Sequence, residues 1–163
     1  MMKVAVIGCG NIANAAHIPA YMANENAEIQ YFCDIQPERA AAAVEKYGCG
    51  VAVTDYHEIL RDPEVEAVSV CTPNNVHAPI TMDALRAGKN VLCEKPAALN
   101  YPLALEMQRV RNETGKVLNI GVCNRFNTSV NKIRSLIENG ELGEVFHVYV
   151  SFRSHRSIPG LGG

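Results

Sequence analysis

The run Val4-Ala5-Val6-Ile7-Gly8-Cys9-Gly10-Asn11-Ile12-Ala13 constrains this chain more than any other stretch. β-Branched and small apolar residues up to Ile7 predict a buried strand. Two glycines then form a turn, and residues 11–23 read as a helix that opens directly out of it. Gly8 admits a backbone angle that other residues resist. Gly10 has no side chain to hold a pyrophosphate away, and the N–H groups and dipole at the start of the helix favour an anion there. Ala13 occupies the place of a third small residue, where helix and strand pack closely. A second apolar run, 28–33, is closed by Asp34, at about the spacing of an acid that accepts from an adenosine ribose. A bare glycine repeat is a weak signal. Here it has a strand before it, a helix after it and an acid at the end of the next strand.

The same alternation continues. Strands are predicted at 3–7, 28–33, 51–53, 67–71, 90–93 and 117–121, and helices at 11–23, 37–47, 56–61, 77–87 and 101–114. Pro37 suits a first helical turn; Gly48 and Gly88 suit helix C-terminal caps. The strands are continuous apolar runs, as in a sheet covered on both faces. Repeated strand–helix units therefore predict an α/β chain with a doubly wound parallel Rossmann sheet over residues 1–122. Residues 123–163 break the pattern: a helix at 128–139 ending at Gly140, a long strand at 143–153, then a glycine-rich tail. One helix and one strand are the beginning of a second, incomplete α/β domain. A strand with uncovered edges predicts self-association, with homo-oligomer contacts through this segment.

Composition excludes several classes. Of the 163 residues 48% are apolar and 20% charged, and the net charge is −2 with no basic block, so there is no nucleic-acid footprint. No apolar run approaches the ~20 residues that span a bilayer. The glycine turn arrives where the apolar core of a signal peptide would continue, so a cytoplasmic chain is expected. Cys9, Cys33, Cys71 and Cys93 fall at predicted strand ends and so along one sheet edge. They are either a metal or redox cluster or small buried residues. No C-x-x-C or His/Cys ligand spacing accompanies them, and we expect reduced thiols and no metal.

Two more loops lie at that edge. Cys71-Thr72-Pro73-Asn74-Asn75-Val76-His77 follows the fourth strand and Glu94-Lys95-Pro96 the fifth. Asn124-Arg125-Phe126 precedes the stretch from Ile137 to Glu144, Ile-Glu-Asn-Gly-Glu-Leu-Gly-Glu. In this order, with the glycine turn, these motifs resemble the Gfo/Idh/MocA family over essentially the whole chain. The resemblance implies an NAD(P)-dependent oxidoreductase, a dehydrogenase of sugars, cyclitols or related polyols. By the same resemblance Gly8, Gly10, Asn11 and Ile12 hold the pyrophosphate and Asp34 the ribose. Thr72, Pro73, Asn75 and His77 run beside the nicotinamide half, Glu94 and Arg125 belong to the cofactor site, and Lys95 is the catalytic lysine that orients substrate and assists proton movement.

Family members are longer, and their second half carries an Asp-x-Gly-x-His motif whose histidine is usually the general base. His147 and His155 have neither the glycine nor the acid of that motif. The chain therefore reads as the cofactor-binding half, inactive by itself. Two alternatives stay open: a non-catalytic or regulatory dinucleotide-binding module, and an NAD-dependent glycosidase of the same family. Asp34 would repel a 2′-phosphate, Ile35 and Gln36 offer no cation, and Arg39 lies on the next helix, so NAD is expected over NADP.

Overall fold

The computed structural model describes residues 1–151. Up to Gly121 every apolar run becomes a strand of one parallel sheet: β1 (Met2–Ile7), β2 (Ala27–Cys33), β3 (Val51–Val53), β4 (Ala67–Val70), β5 (Asn90–Cys93) and β6 (Leu118–Ile120). Their order is β3-β2-β1-β4-β5-β6, so the winding reverses between β1 and β4. Residues alternate across β1. Val4 and Val6 pack on one face with Ile29, Phe32 and Ile18, while Ala5 and Ile7 pack on the other with Val68, Val70, Leu85 and Val110. Neither face meets solvent, which is why these strands read as unbroken apolar runs rather than alternating ones. Burying one such large side chain contributes about 1.5–3 kcal/mol.

The helices follow their local signals. They are α1 (Ile18–Met22), α2 (Pro37–Tyr47), α3 (Tyr56–Arg61), α4 (His77–Arg86) and α5 (Tyr101–Thr114). Pro37 begins α2 and Gly48 ends it in the left-handed conformation. The Asp55 and Asn100 side chains accept from His57 N–H and Leu103 N–H at the starts of α3 and α5. The helix expected at 11–23 is not uniform. Between Ala13 and His17 it widens into a π turn, in which Ile18 N–H reaches back to Ala13 O. Such turns recur at functional sites.

A second compact unit starts at Val122. It holds a 3₁₀ turn, Cys123–Phe126, and α6 (Thr128–Glu138), capped by Asn127, whose side chain accepts from Ser129 N–H and Val130 N–H. The strand expected at 143–153 is a correction: residues 145–151 pair with no strand among the described residues. An isolated strand leaves its ladder groups unbonded, and pattern alone does not supply a partner. Phe146, Val148, Tyr149 and Val150 are instead exposed. The last two residues of that expected strand, and His155, lie outside the described residues.

Candidate functional site

The strand C-terminal ends form one continuous edge, because the ladder bonds run on past the strands. Gly8 N–H donates to Cys33 O, Cys71 N–H to Ile7 O, Glu94 N–H to Val70 O and Gly121 N–H to Cys93 O. The turns that follow β1, β4 and β5 are thereby set side by side at the point where the winding reverses. Open parallel sheets bind ligands at such points. Gly8 has φ +93°, and a Cβ there would stand 2.7 Å from both the carbonyl carbon and the carbonyl oxygen of Cys71. Only glycine lets the first turn and the 71–77 loop approach so closely.

Beyond Gly8 the turn is fixed by polar atoms. The Asn14 side-chain amide donates to Cys9 O at 2.8 Å and Gly10 O at 3.1 Å, engaging both turn carbonyls. The N–H groups of the first helical turn have no carbonyl one turn back and remain available to an anion. Asp34 is buried at the end of β2; its carboxylate accepts from Cys9 N–H and Gln36 N–H, both at 2.9 Å. Each carboxylate oxygen keeps capacity for a further donor. Ile35, Gln36 and Arg39 are exposed beside it.

Cys9, Cys33, Cys71 and Cys93 form no disulfide and are buried along this edge. Cys9 Sγ donates to Cys33 O at 3.6 Å. Burial, reinforced by the Asp34 charge and only partly offset by Arg39, pushes the Cys9 thiol up to about 12. Burial likewise raises Cys33 to about 12 and raises Cys71. Among the described residues no group of three or more His, Cys, Asp or Glu is arranged to hold a metal ion.

At the β5 end the arrangement depends on buried side chains. The carboxylate of Glu94, 5% exposed, meets His17 Nε2 at 2.9 Å through Oε1 and accepts from Lys95 N–H at 3.1 Å through Oε2. His17 Nδ1 lies 3.3 Å from Ser69 Oγ, which pairs in turn with Tyr21 OH at 2.7 Å. The Lys95 ammonium is exposed and meets no partner among the described residues. His77, 1% exposed, has Nδ1 2.8 Å from Pro96 O and Nε2 2.8 Å from Thr72 O. Burial opposes its charge, but the Cys93 thiol and the two carbonyls outweigh that and raise it from 6.5 to about 9. Thr72 Oγ1 is buried and has no hydrogen-bond partner among the described residues.

The structure thus brings Gly8, Gly10, Asn11, Ile12, Asp34, Thr72, Pro73, Asn75, His77, Glu94 and Lys95 to turns along a single edge. Arg125 belongs to the second unit, in the turn after Val122, and is exposed. Sequence reasoning missed Asn14 and His17. Asn14 had a signal, a short amide side chain one helical turn beyond Gly10. His17 had none: its partner Glu94 is 77 residues away, and the π turn that carries it leaves no mark in periodicity.

A nicotinamide dinucleotide suits these residues. The uncluttered glycine turn, the open-handed Asp34 carboxylate and the orphaned Thr72 hydroxyl are the kinds of group it would engage. Residues 2–122 match the sequence profile of an oxidoreductase family with the NAD-binding Rossmann fold. The chain is 34% identical over 161 residues to D-glucoside 3-dehydrogenase of Escherichia coli, covering 99% of this chain and 46% of that one. It is 33% identical over 161 residues to myo-inositol 2-dehydrogenase of Thermotoga maritima, covering 97% and 47%. A crystal structure of a 3-ketoreductase from Actinomadura kijaniata, in complex with NADP and TDP-benzene, superposes with TM-score 0.79 at 32% identity, over 85% of this chain and 42% of that one. A putative myo-inositol dehydrogenase from Sinorhizobium meliloti gives TM-score 0.81 at 30% identity, over 88% and 43%. The chain spans about half the length of the curated relatives it matches.

Proposed function

This chain belongs to the Gfo/Idh/MocA oxidoreductase family, with its NAD-binding Rossmann fold, and from that membership we propose that it seats NAD for hydride exchange at a hydroxyl-bearing carbon of a sugar, cyclitol or related polyol. The observation that carries the reading is the close approach of Gly8 to the Cys71–Thr72 peptide, on the same edge as Asp34 and the exposed Lys95 side chain. Gly8, Gly10, Asn11 and Ile12 present backbone N–H groups to the pyrophosphate. Asp34 accepts from the adenosine ribose. Thr72, Pro73 and Asn75 wall the nicotinamide side. When bound, the dinucleotide supplies the hydride acceptor. The backbone N–H of Lys95 donates to Glu94 and holds the residue at the end of β5, and its ammonium orients the substrate hydroxyl and assists the departure of its proton.

These residues complete a binding site more fully than a reaction site. Loss of general-base help costs about 10²- to 10⁴-fold in rate, and loss of substrate positioning adds to that. We expect the 163-residue chain to bind NAD and to turn over sugars or cyclitols negligibly. The test is calorimetric titration with NAD and NADP, followed by an NADH-formation assay over a panel of sugars and cyclitols. Turnover at the rate of an ordinary dehydrogenase, abolished in Lys95→Ala, would overturn the separation of binding from turnover. Absence of any dinucleotide binding would overturn the function.

A second reading, NADP as the cofactor, has an observation of its own. Arg39 is exposed, and its charge is felt at Cys9 in the glycine turn. Asp34 would still oppose a 2′-phosphate, so we hold to NAD. Asp34→Ser with Ile35→Arg is expected to shift the preference toward NADP. Tighter NADP binding by the unaltered chain would reverse the assignment.

A further inference from the structure

His77 is buried, and it touches both loops assigned to the nicotinamide side. It is 1% exposed, and each ring nitrogen lies 2.8 Å from a backbone carbonyl oxygen: Thr72 O at one end of its own loop, Pro96 O directly after Lys95. A carbonyl oxygen only accepts. A neutral imidazole has one N–H, so it can satisfy one of these contacts and must set a lone pair against the other. Both contacts are hydrogen bonds only when both nitrogens carry protons.

We propose that His77 is a positioning residue, a positively charged imidazole that clasps the 72–77 loop to the Lys95–Pro96 turn and so fixes both walls of the nicotinamide subsite. The proposal uses the reading of these loops as that subsite. The charge has a physical basis in its surroundings. Two carbonyl dipoles point at the ring, and Cys93 on β5 is the titratable group that faces it. Neighbouring ionisable groups are engaged elsewhere or turned outward. The Glu94 carboxylate is taken up by His17 and Lys95 N–H, and the Lys95 side chain is exposed. The Lys95 segment is therefore held from both sides, through Glu94 by His17 and through Pro96 by His77. The second hold spans 19 residues of sequence and bridges two strand ends.

The clasp separates the two halves of the ligand. It bears on the loops beside the nicotinamide and not on the glycine turn or Asp34. Opening it should weaken NADH binding and leave ADP-ribose, which lacks the nicotinamide, untouched. The experiment has two arms on the full 163-residue chain. In the first, long-range proton–nitrogen correlation spectra of the imidazoles are followed from acid to alkaline pH, with His77→Gln identifying the signal. Both His77 nitrogens are expected to be protonated at neutral pH, with one proton lost only as pH approaches about 9. A single protonated nitrogen at neutral pH overturns the proposal.

In the second arm, NADH and ADP-ribose are titrated into the wild-type chain and His77→Gln. NADH affinity is expected to fall about tenfold in the variant, the scale of one charge-assisted hydrogen bond, with ADP-ribose affinity unchanged. Wild-type NADH affinity should also fall as His77 loses its proton, and the variant should not follow. Unchanged NADH affinity, or equal losses for both ligands, overturns the clasp. A wild-type chain that binds neither ligand ends the cofactor reading itself, and the imidazole spectra then decide the clasp alone.

Discussion

The glycine-turn end of the strand edge and its Lys95 end are held by different materials. At the first, backbone does nearly everything. Gly8 presses on the Cys71–Thr72 peptide, Cys9 N–H and Gln36 N–H fix Asp34, and the Asn14 amide closes the turn carbonyls. At the second, buried ionisable side chains do the holding: His17 to Glu94, and His77 to Thr72 O and Pro96 O. A turn built mostly from backbone has few ways to yield. A turn hung on buried imidazoles depends on partners far away in sequence and, at His77, on a proton. The difference suits a rigid role at the end proposed to hold the constant part of the ligand, and an adjustable one at the end where chemistry is proposed.

The largest expected effect breaks the rigid end. Gly8→Ala sets a Cβ 2.7 Å from Cys71 backbone atoms at φ +93°, with no flexible neighbour to give way. We expect a loss of about 3 kcal/mol or more and no measurable NADH binding. A wild-type urea midpoint would show that the turn is softer than its geometry implies.

The next prediction breaks the side-chain end. His17→Ala strips one partner from the buried Glu94 carboxylate and one from Ser69, at an expected cost of about 2 kcal/mol. The amide of Lys95, which donates to the same carboxylate, should exchange with solvent faster. His17→Gln should recover part of both. If exchange at Lys95 is unaltered in His17→Ala, the buried pair does not hold the lysine turn.

A pH series sharpens the contrast. The His77 pKa is raised on folding from 6.5 to about 9, so its stabilisation is fully present below 6.5 and is lost as pH rises through about 9. A decline on the order of 1–2 kcal/mol is expected over that window, about 1.4 kcal/mol for each pH unit between the two values, reduced by solvent screening. Thermal midpoints of wild type and His77→Gln, compared from acid to alkaline pH, check it: the two profiles should converge at the alkaline end. The smallest effect belongs to Lys95→Ala. The ammonium is exposed and has no partner among the described residues, so stability should stay within about 0.5 kcal/mol. A larger loss would mean that Lys95 helps hold the turn it was assigned only to use.

The same contrast governs what could be read from the sequence. The strand at 90–93 and the helices at 37–47, 56–61 and 101–114 form at the bounds their residues imply, because apolar runs, Pro37, Asp55, Asn100 and Gly48 act within a turn of where they stand. Asp34 and the glycines are legible for the same reason: their geometry is made by neighbours. The π turn is not legible, since one extra residue in a helical turn hardly alters periodicity. Nor is the His17–Glu94 pair, which exists only once β1 and β5 have entered one sheet. His77 was singled out by its motif as a residue beside the ligand. Its burial and its two carbonyl partners indicate a part played through the loops. The strand expected at 143–153 failed for the converse reason. Its pattern was genuine, but a strand is defined by its partner.

Cys9 stands in the middle of the glycine turn, where a thiolate would set a negative charge against a pyrophosphate and expose the turn to electrophiles. With its pKa pushed up to about 12 by burial and Asp34, and its Sγ turned to Cys33 O, it stays a neutral thiol throughout the physiological range. The acid proposed to accept from the ribose thereby also passivates the sulfur beside it. Alkylating reagents should therefore leave the turn unmodified at neutral pH, and the mass of its peptide after alkylation checks this.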